Sequence, residues 1–445
     1  MSRPAAFTGD DVPVLAALKE LLRPLVAFYL DLHRNPELSG SESRTAARFA
    51  GWLEGEGYDV ARGVGGHGVV GVLRNGDGPR VMLRAELDAL PVRERTGLAY
   101  ASEGPAMHAC GHDMHLAALA GAASLLARAA GGWRGTVVVV GQPAEETLEG
   151  ARAMLRDGLY ERFGVPAAAL AQHTAPLPAG MVAHAGESVP VLAGSAGMEV
   201  VVHGRGGHAG APHLAVDPLV TAAAVVMRLQ GLAARETAPA EQAVVNAGSL
   251  HAGSGSNVIA ERAELGITVR AQTQASLERL TAAVERTVSA ECAAAGCPRE
   301  PEIRIVSRSP VTVSDPETGA AVREAHRRLY GPERVCGWLP SAATEDFALY
   351  GDAGAGLHGA TGIAAVYWMV GATGAREWSR ASGNGSGQPP PGPPPGNHSP
   401  RFAPDVRTGL PTAVTAMTTA ALTCLGGAEP GGAGPGGAGP GVPAL

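Results

Sequence analysis

Histidine, cysteine and glutamate gather at a few places in this chain. His108-Ala109-Cys110-Gly111-His112-Asp113 stands just before a stretch rich in alanine and leucine. In an extended segment side chains at i and i+2 point the same way, so Cys110 and His112 can share a metal ion. A small buried cysteine in a polar loop would give the same letters. Glu145-Glu146 follows the apolar run TVVVVGQP (136–143). Adjacent carboxylates repel each other; a cation offsets one and leaves the other to act as a general base. A charged helix start is the plainer alternative, because acidic residues favour first turns. His173 closes the short run AAALA, and His398 follows a low-complexity loop. Each is a ligand or an ordinary loop histidine. Glu86 and Asp88, in LRAELDALP, share one side of a strand end, where one can orient a metal ligand or both can be solvated. As a set, one cysteine, three histidines and two glutamates at strand ends or loops provide a bridging ligand, terminal ligands and a free base. That is the parts list of a two-metal hydrolase.

Elements of matching period must position these residues. Apolar spacing predicts helices over 12–33, with a kink or break at Pro24, and over 42–57. Strands are expected at 69–73, 81–87 and 136–143, the last a buried parallel-type strand because it is apolar without alternation. A helix is expected at 112–130. Strands alternating with helices imply an α/β sheet with helices on both faces. The pattern changes near residue 190. Strands at 198–204, 243–251, 264–271 and 301–307, with helices at 217–235 and 275–295, give the order β-α-β-β-α-β. That order is a ferredoxin-like sandwich inserted into the first domain. The first domain resumes with a helix at 316–330 and a strand at 364–371. The expected division is 1–188 and 309–425 for the catalytic domain and 189–308 for a lid. Residues 376–396 form a flexible, proline-rich insertion and 426–445 a disordered tail.

Composition removes other classes. The chain has 445 residues, a net charge of −7 and one lysine, Lys19. Scattered arginines do not make a nucleic-acid groove or a polybasic membrane surface. No apolar run of about 18 residues is present to span a membrane, and Asp10 and Asp11 interrupt the N-terminal stretch, so it does not read as a secretory signal. Five cysteines, an odd number with no Cys-x-x-Cys pair, exclude a zinc ribbon and favour a cytoplasmic setting without disulfides. Two glycine-rich segments imitate a dinucleotide fingerprint. Gly63–Gly68 leads into a strand rather than a helix, and Gly204–Ala209 is separated from the next helix by Pro212. Ser195 and Ser341 lack a nucleophile elbow.

HACGHDMH, GQPAEET, AQHT and NHSP, in this order, resemble the metal-dependent amidohydrolases that include hippurate hydrolases, bacterial aminoacylases and auxin-conjugate hydrolases. LHRNPELSGSESRTA, LRAELDALPV, GRGGHAGAPH, NVIA and ATEDFALY extend the likeness from about residue 28 to about residue 420. The resemblance implies a zinc-peptidase-like α/β domain with an inserted lid. It implies two divalent ions, zinc or manganese first and cobalt or nickel as alternatives, held by Cys110, His112, Glu146, His173 and His398, with Cys110 bridging. Glu145 would be the general base. His208, from the same or a partner subunit, would assist the substrate carbonyl, and Asn257 and Arg270 would meet the substrate carboxylate. Asp88 completes the expected catalytic set. The expected partner is a small N-acyl amino acid, and the lid offers a homodimer contact. Two departures stand out: Glu86 where the family more often has Asp, and the long insertion before His398. A dipeptidase or carboxypeptidase on the same fold is the nearest rival. A non-catalytic binding protein fits less well, since it has no need for a general base.

Overall fold

The structure is a computed structural model that describes residues 13–382 and 392–426. Helices α1 (Leu18–Arg34) and α2 (Ser43–Gly55) precede β1 (Asp59–Val64), β2 (Gly68–Asn75) and β3 (Arg80–Glu86). Then come α3 (His112–Arg128), β4 (Gly135–Gln142), α4 (Gly150–Arg156), α5 (Leu159–Phe163), β5 (Ala168–Pro178) and β6 (Val182–His184). Strand β7 (Pro190–Leu192) leads into a second unit: β8 (Gly194–His203), β9 (Gly207–His208), α6 (Pro218–Leu229), α7 (Leu232–Glu236), β10 (Ala243–Ala252), β11 (Val258–Ile259), β12 (Arg262–Ala271), α8 (Gln274–Ala294) and β13 (Glu302–Ser309). Strand β14 (Thr312–Val313) returns beside β7, so the two crossovers between the units pair as a short ribbon. The chain ends with α9 (Pro316–Tyr330), β15 (Val335–Gly337), α10 (Ala355–His358), β16 (Ala364–Thr373), α11 (Ala375–Ala381) and α12 (Val406–Cys424).

The large sheet runs β1-β2-β4-β3-β5-β16-β6-β15. It is parallel where β3 meets β4 and β5 and where β5 meets β16, and antiparallel at β1–β2 and β2–β4. The four consecutive valines of β4 show why this sheet is apolar on both sides. Val137 and Val139 face a core shared with α1, α2, α3 and α12, while Val138 and Val140 face a second core with α4 and α5. A strand covered on both faces has no polar side to alternate with. Pro24 does not break α1, which runs unbroken over Leu18–Arg34. The proline lies on the exposed face, opposite the buried Leu21, Leu25 and Phe28, so packing of the apolar face holds the helix through it.

The second unit has the sheet order β10-β12-β8-β13, antiparallel throughout, with a core of its own between that sheet and α6 and α8. The single helix expected at 217–235 is two, broken at Gln230-Gly231 where glycine disfavours helix. The stretch 376–396 does not begin as a flexible loop. Ala375–Ala381 is helical, because AREWSRA contains good helix formers and the proline-rich run starts only after it. The rest of that stretch from 383 to 391, and all but Gly426 of the tail 426–445, lie outside the described residues. Among the described residues no helix is long and apolar enough to cross a membrane.

Candidate metal centre

The large sheet delivers its polar residues where open α/β sheets hold ligands, beyond the carboxyl ends of parallel strands. Glu86 ends β3 and Asp88 follows it; Glu145 and Glu146 follow β4. His173 is not at the end of β5, which continues to Pro178. It lies two residues past Ala171, the last residue of β5 paired with β3, so its side chain emerges where that neighbour stops. Cys110 and His112 flank Gly111, which caps α3 with φ +86°. A Cβ on Gly111 would stand 2.5 Å from Thr174 Oγ1, so only glycine lets α3 begin against β5.

Six side chains converge there. Cys110 Sγ is 3.4 Å from His173 Nε2 and 3.3 Å from His398 Nε2. His112 Nε2 is 3.7 Å from Glu145 and 3.8 Å from Glu146, and His398 Nε2 is 3.5 Å from Glu146. Cys110, His112 and His173 form one group of three with ligand atoms within 4.8 Å; Cys110, Glu146 and His398 form another. The thiol belongs to both. Hydrogen bonds fix which atoms face inward. His112 Nδ1 donates to the Asp88 carbonyl at 2.9 Å and His173 Nδ1 donates to the Thr174 carbonyl at 2.8 Å, so both rings present Nε2. The Asp88 carboxylate accepts from Ser39 and from the Glu146 amide, so His112 and Glu146 are both tied to this one residue. His398 is held despite the preceding insertion: its amide donates to Ala109 O, and Asn397 Nδ2 donates to Cys110 O. Its φ of +67°, with Ala144 at +50° and Leu148 at +60° beside the glutamates, concentrates backbone strain around the cluster.

The residues fit a divalent ion on their own evidence. His112 Nε2 and Glu146 Oε1 are buried without a hydrogen-bond partner, which is costly unless another group is bound. Burial pushes the Cys110 thiol up to about 12 and the Glu146 carboxyl up to about 7. Glu145 is raised by burial and by the charges of Glu345 and Glu146, while burial and His115 hold His173 low. Divalent charge at this point reverses the first two effects, and thiolate, carboxylate and neutral imidazole are the ligand forms.

A neighbouring network escaped the sequence reading. Arg84 is buried; it donates to Gln142 at 2.8 Å and pairs with Glu86, Glu345 at 2.8 Å and Asp346 at 3.0 Å. The carboxylates of Glu345 and Asp346 lie within 4.8 Å of that of Glu145. Glu86 pairs with Arg84 and also with His115 Nδ1, at 2.8 Å. His115 stands inside HACGHDMH and Glu345-Asp346 inside ATEDFALY, so the motifs held them; no local spacing joins them to Arg84.

A cleft of about 630 Å³ opens between the two units over this cluster, lined by Cys110, Glu145, Glu146, His173, His398 and, from β12, Arg270. Arg270 Nη1 donates to Ala342 O at 2.7 Å. The other two expected lid residues are elsewhere. His208 and Asn257 are exposed on or beside the β9–β11 ribbon, where His208 pairs with Val258, and neither lines the cleft.

Residues 82–376 match peptidase family M20/M25/M40. The chain belongs to that family. It is 35% identical to an N-acetylcysteine deacetylase of Bacillus subtilis, over 80% of this chain and 90% of that one. It is also 35% identical to a hippurate hydrolase of Campylobacter jejuni, over 72% and 82% of the two chains. A Bacillus subtilis structure described as a dinuclear metal binding peptidase from the M20 family superposes with TM-score 0.70 at 28% identity, covering 92% of this chain and 99% of that one. The protein is thus a metallo-amidohydrolase with the fold of this family.

Proposed function

We propose that this protein hydrolyses the amide bond of N-acyl amino acids, with Cys110, His112, Glu146, His173 and His398 holding two divalent ions, zinc or manganese first, and Glu145 as general base. The carrying observation is the pair of three-residue groups sharing Cys110, with the buried carboxylate of Glu145 outside both and grouped with His112 and Glu146. Bound there, the ions supply Lewis acidity toward the water and the scissile carbonyl. Glu145 then takes a proton from the attacking water and hands it to the amide nitrogen as the C–N bond breaks. Asp88 keeps His112 and Glu146 in place. Arg270 is positioned to hold the substrate carboxylate with parallel hydrogen bonds, exchanging its bond to Ala342 O for them. His208 and Asn257, exposed on the lid ribbon, are read as reaching a substrate carbonyl and carboxylate from a second copy of the chain. The division into a catalytic domain (1–188, 309–425) and a lid (189–308) belongs to this reading. So does a cytoplasmic location, supported by five cysteines that are all free.

The test is release of glycine from hippurate by the purified protein, with each divalent ion and with chelator. Chelator-sensitive release is expected. Mixing His208→Ala with Glu145→Gln protein should restore part of the activity both have lost, through mixed dimers. No release with any ion would refute the assignment, and no restoration would refute the shared site.

A further inference from the structure

The two walls of the cleft differ in chemistry. The lid wall is polar: Ser195, Thr268, Arg270 and Ser307. The catalytic side carries an apolar stretch, Leu148, Trp338, Tyr367 and Met369 with Leu192 of β7, next to polar residues such as Thr344 and Glu345. Met369 lies on β16 opposite His173 on β5, so the apolar wall begins one strand away from a ligand of the centre. On the same face of β5 the neighbours of His173 are Ala171 and Ala175, both packed in the core on that side of the sheet, and Ala175 also lines the cleft. Trp338 is fixed at two points. Its amide donates to His184 O at 2.7 Å and its indole Nε1 donates to Val191 O at 3.1 Å. The ring therefore stands as a rigid half-buried plate beside Leu192, and rigid aromatic area binds without much ordering cost.

Resting on the acyl-amino-acid reading, we infer that Trp338 selects the acyl group of the substrate, and that this group is an aromatic or similarly bulky apolar acyl rather than acetyl. Arg270 holds the amino-acid end toward the lid, which leaves the apolar wall to the acyl end. An acetyl group reaches little of that wall. An aryl ring covers Trp338, Leu192 and Met369, and burying it is worth roughly ten- to a hundredfold in kcat/KM.

The experiment holds the amino acid fixed as glycine and compares benzoylglycine with acetylglycine on the ion-loaded full chain. Acetylphenylalanine serves as a control that moves the ring to the other side of the scissile bond. Wild-type protein is expected to prefer benzoyl by the factor above, Trp338→Ala to bring the ratio within a few-fold of one, and Trp338→Phe to keep most of it. Calorimetry gives a readout independent of turnover: benzoate should bind more tightly than acetate to wild type, and Trp338→Ala should abolish that difference. Hydrolysis of both acylglycines with a ratio near one in wild type overturns the inference and leaves the function standing. So does a ratio unchanged by Trp338→Ala, or a Trp338 effect that follows acetylphenylalanine instead. Failure to hydrolyse any of the three refutes the function and this inference together.

Discussion

Two histidine clusters with buried members flank the large sheet, and they are built in opposite ways. At the metal centre His112 Nε2, Glu146 Oε1 and Asp88 Oδ1 are buried with no hydrogen-bond partner. Behind β6 and β16, His184 Nε2 donates to His326 Nδ1 at 2.9 Å, and His326 Nε2 donates to Ala416 O at 2.9 Å. Tyr330 nearby donates to Thr412 O. No buried side-chain nitrogen or oxygen of that second group lacks a partner. Burial of histidine is therefore common to both; what separates them is the unmet atom. A completed relay specifies packing, whereas an incomplete one is built around something that binds.

The sharpest break in that comparison is at Glu145. Glu145→Gln should lower kcat on hippurate by roughly two to four orders of magnitude while ion content, measured by elemental analysis, stays near wild type. Turnover close to wild type would remove Glu145 as the base. His326→Gln should do the reverse, leaving turnover within a few-fold and lowering the melting temperature.

Arg84 tests whether the satisfied logic reaches the edge of the active centre. Arg84→Met leaves Glu86, Glu345 and Asp346 without their cation, and breaking a buried pair of this kind costs about 3–5 kcal/mol. Denaturant unfolding should show that loss, and a change below about 1 kcal/mol would mean that the three acids take up protons freely instead. This network also marks the limit of the sequence. The residues of the cluster were legible because strand ends and short motifs announce them. His208 and Asn257 were legible as motif residues, but not their exposure, which depends on how the second unit folds. Arg84 and Glu345 lie 261 positions apart, and no periodicity connects them. In the same way Val137–Val140 announced a buried strand, whereas Pro24 does not break its helix, which is held by its packed face rather than by local propensity.

Ion binding should stabilise the first cluster and leave the second unaffected. At a hundredfold excess over Kd, a divalent ion adds about 2.7 kcal/mol to the folded state. Thermal unfolding with and without zinc or manganese should show the shift in wild type and a much smaller one in Cys110→Ala, with fewer ions bound. An equal shift in that variant would take the thiol out of the site.

The smallest effect is the most specific to the second cluster. Burial lowers His326 to about 4, and burial with the nearby His326, Arg323 and Arg327 charges holds His184 well below its ordinary value. The neutral relay uses Nδ1 of His326 as an acceptor, so protonating that nitrogen breaks its bond to His184. Because the folded values lie below the unfolded value of 6.5, the unfolded chain binds more protons, and stability rises with pH. The contribution of His326 is complete above pH 6.5 and is lost as pH falls from there toward about 4, at about 1.4 kcal/mol per pH unit. Histidines of the metal centre titrate as well, His173 and His398 shifted down like His326 and His112 shifted up, so the measurement is a difference: urea unfolding of wild type and of His326→Gln at pH 7 and pH 5.5. The variant should be less stable at pH 7 but lose about 1.4 kcal/mol less between the two pH values. Parallel losses in the two proteins would show that His326 takes up its proton as readily in the folded chain as in the unfolded one. The completed cluster would then owe its stability to packing against Trp368 rather than to the chain of hydrogen bonds.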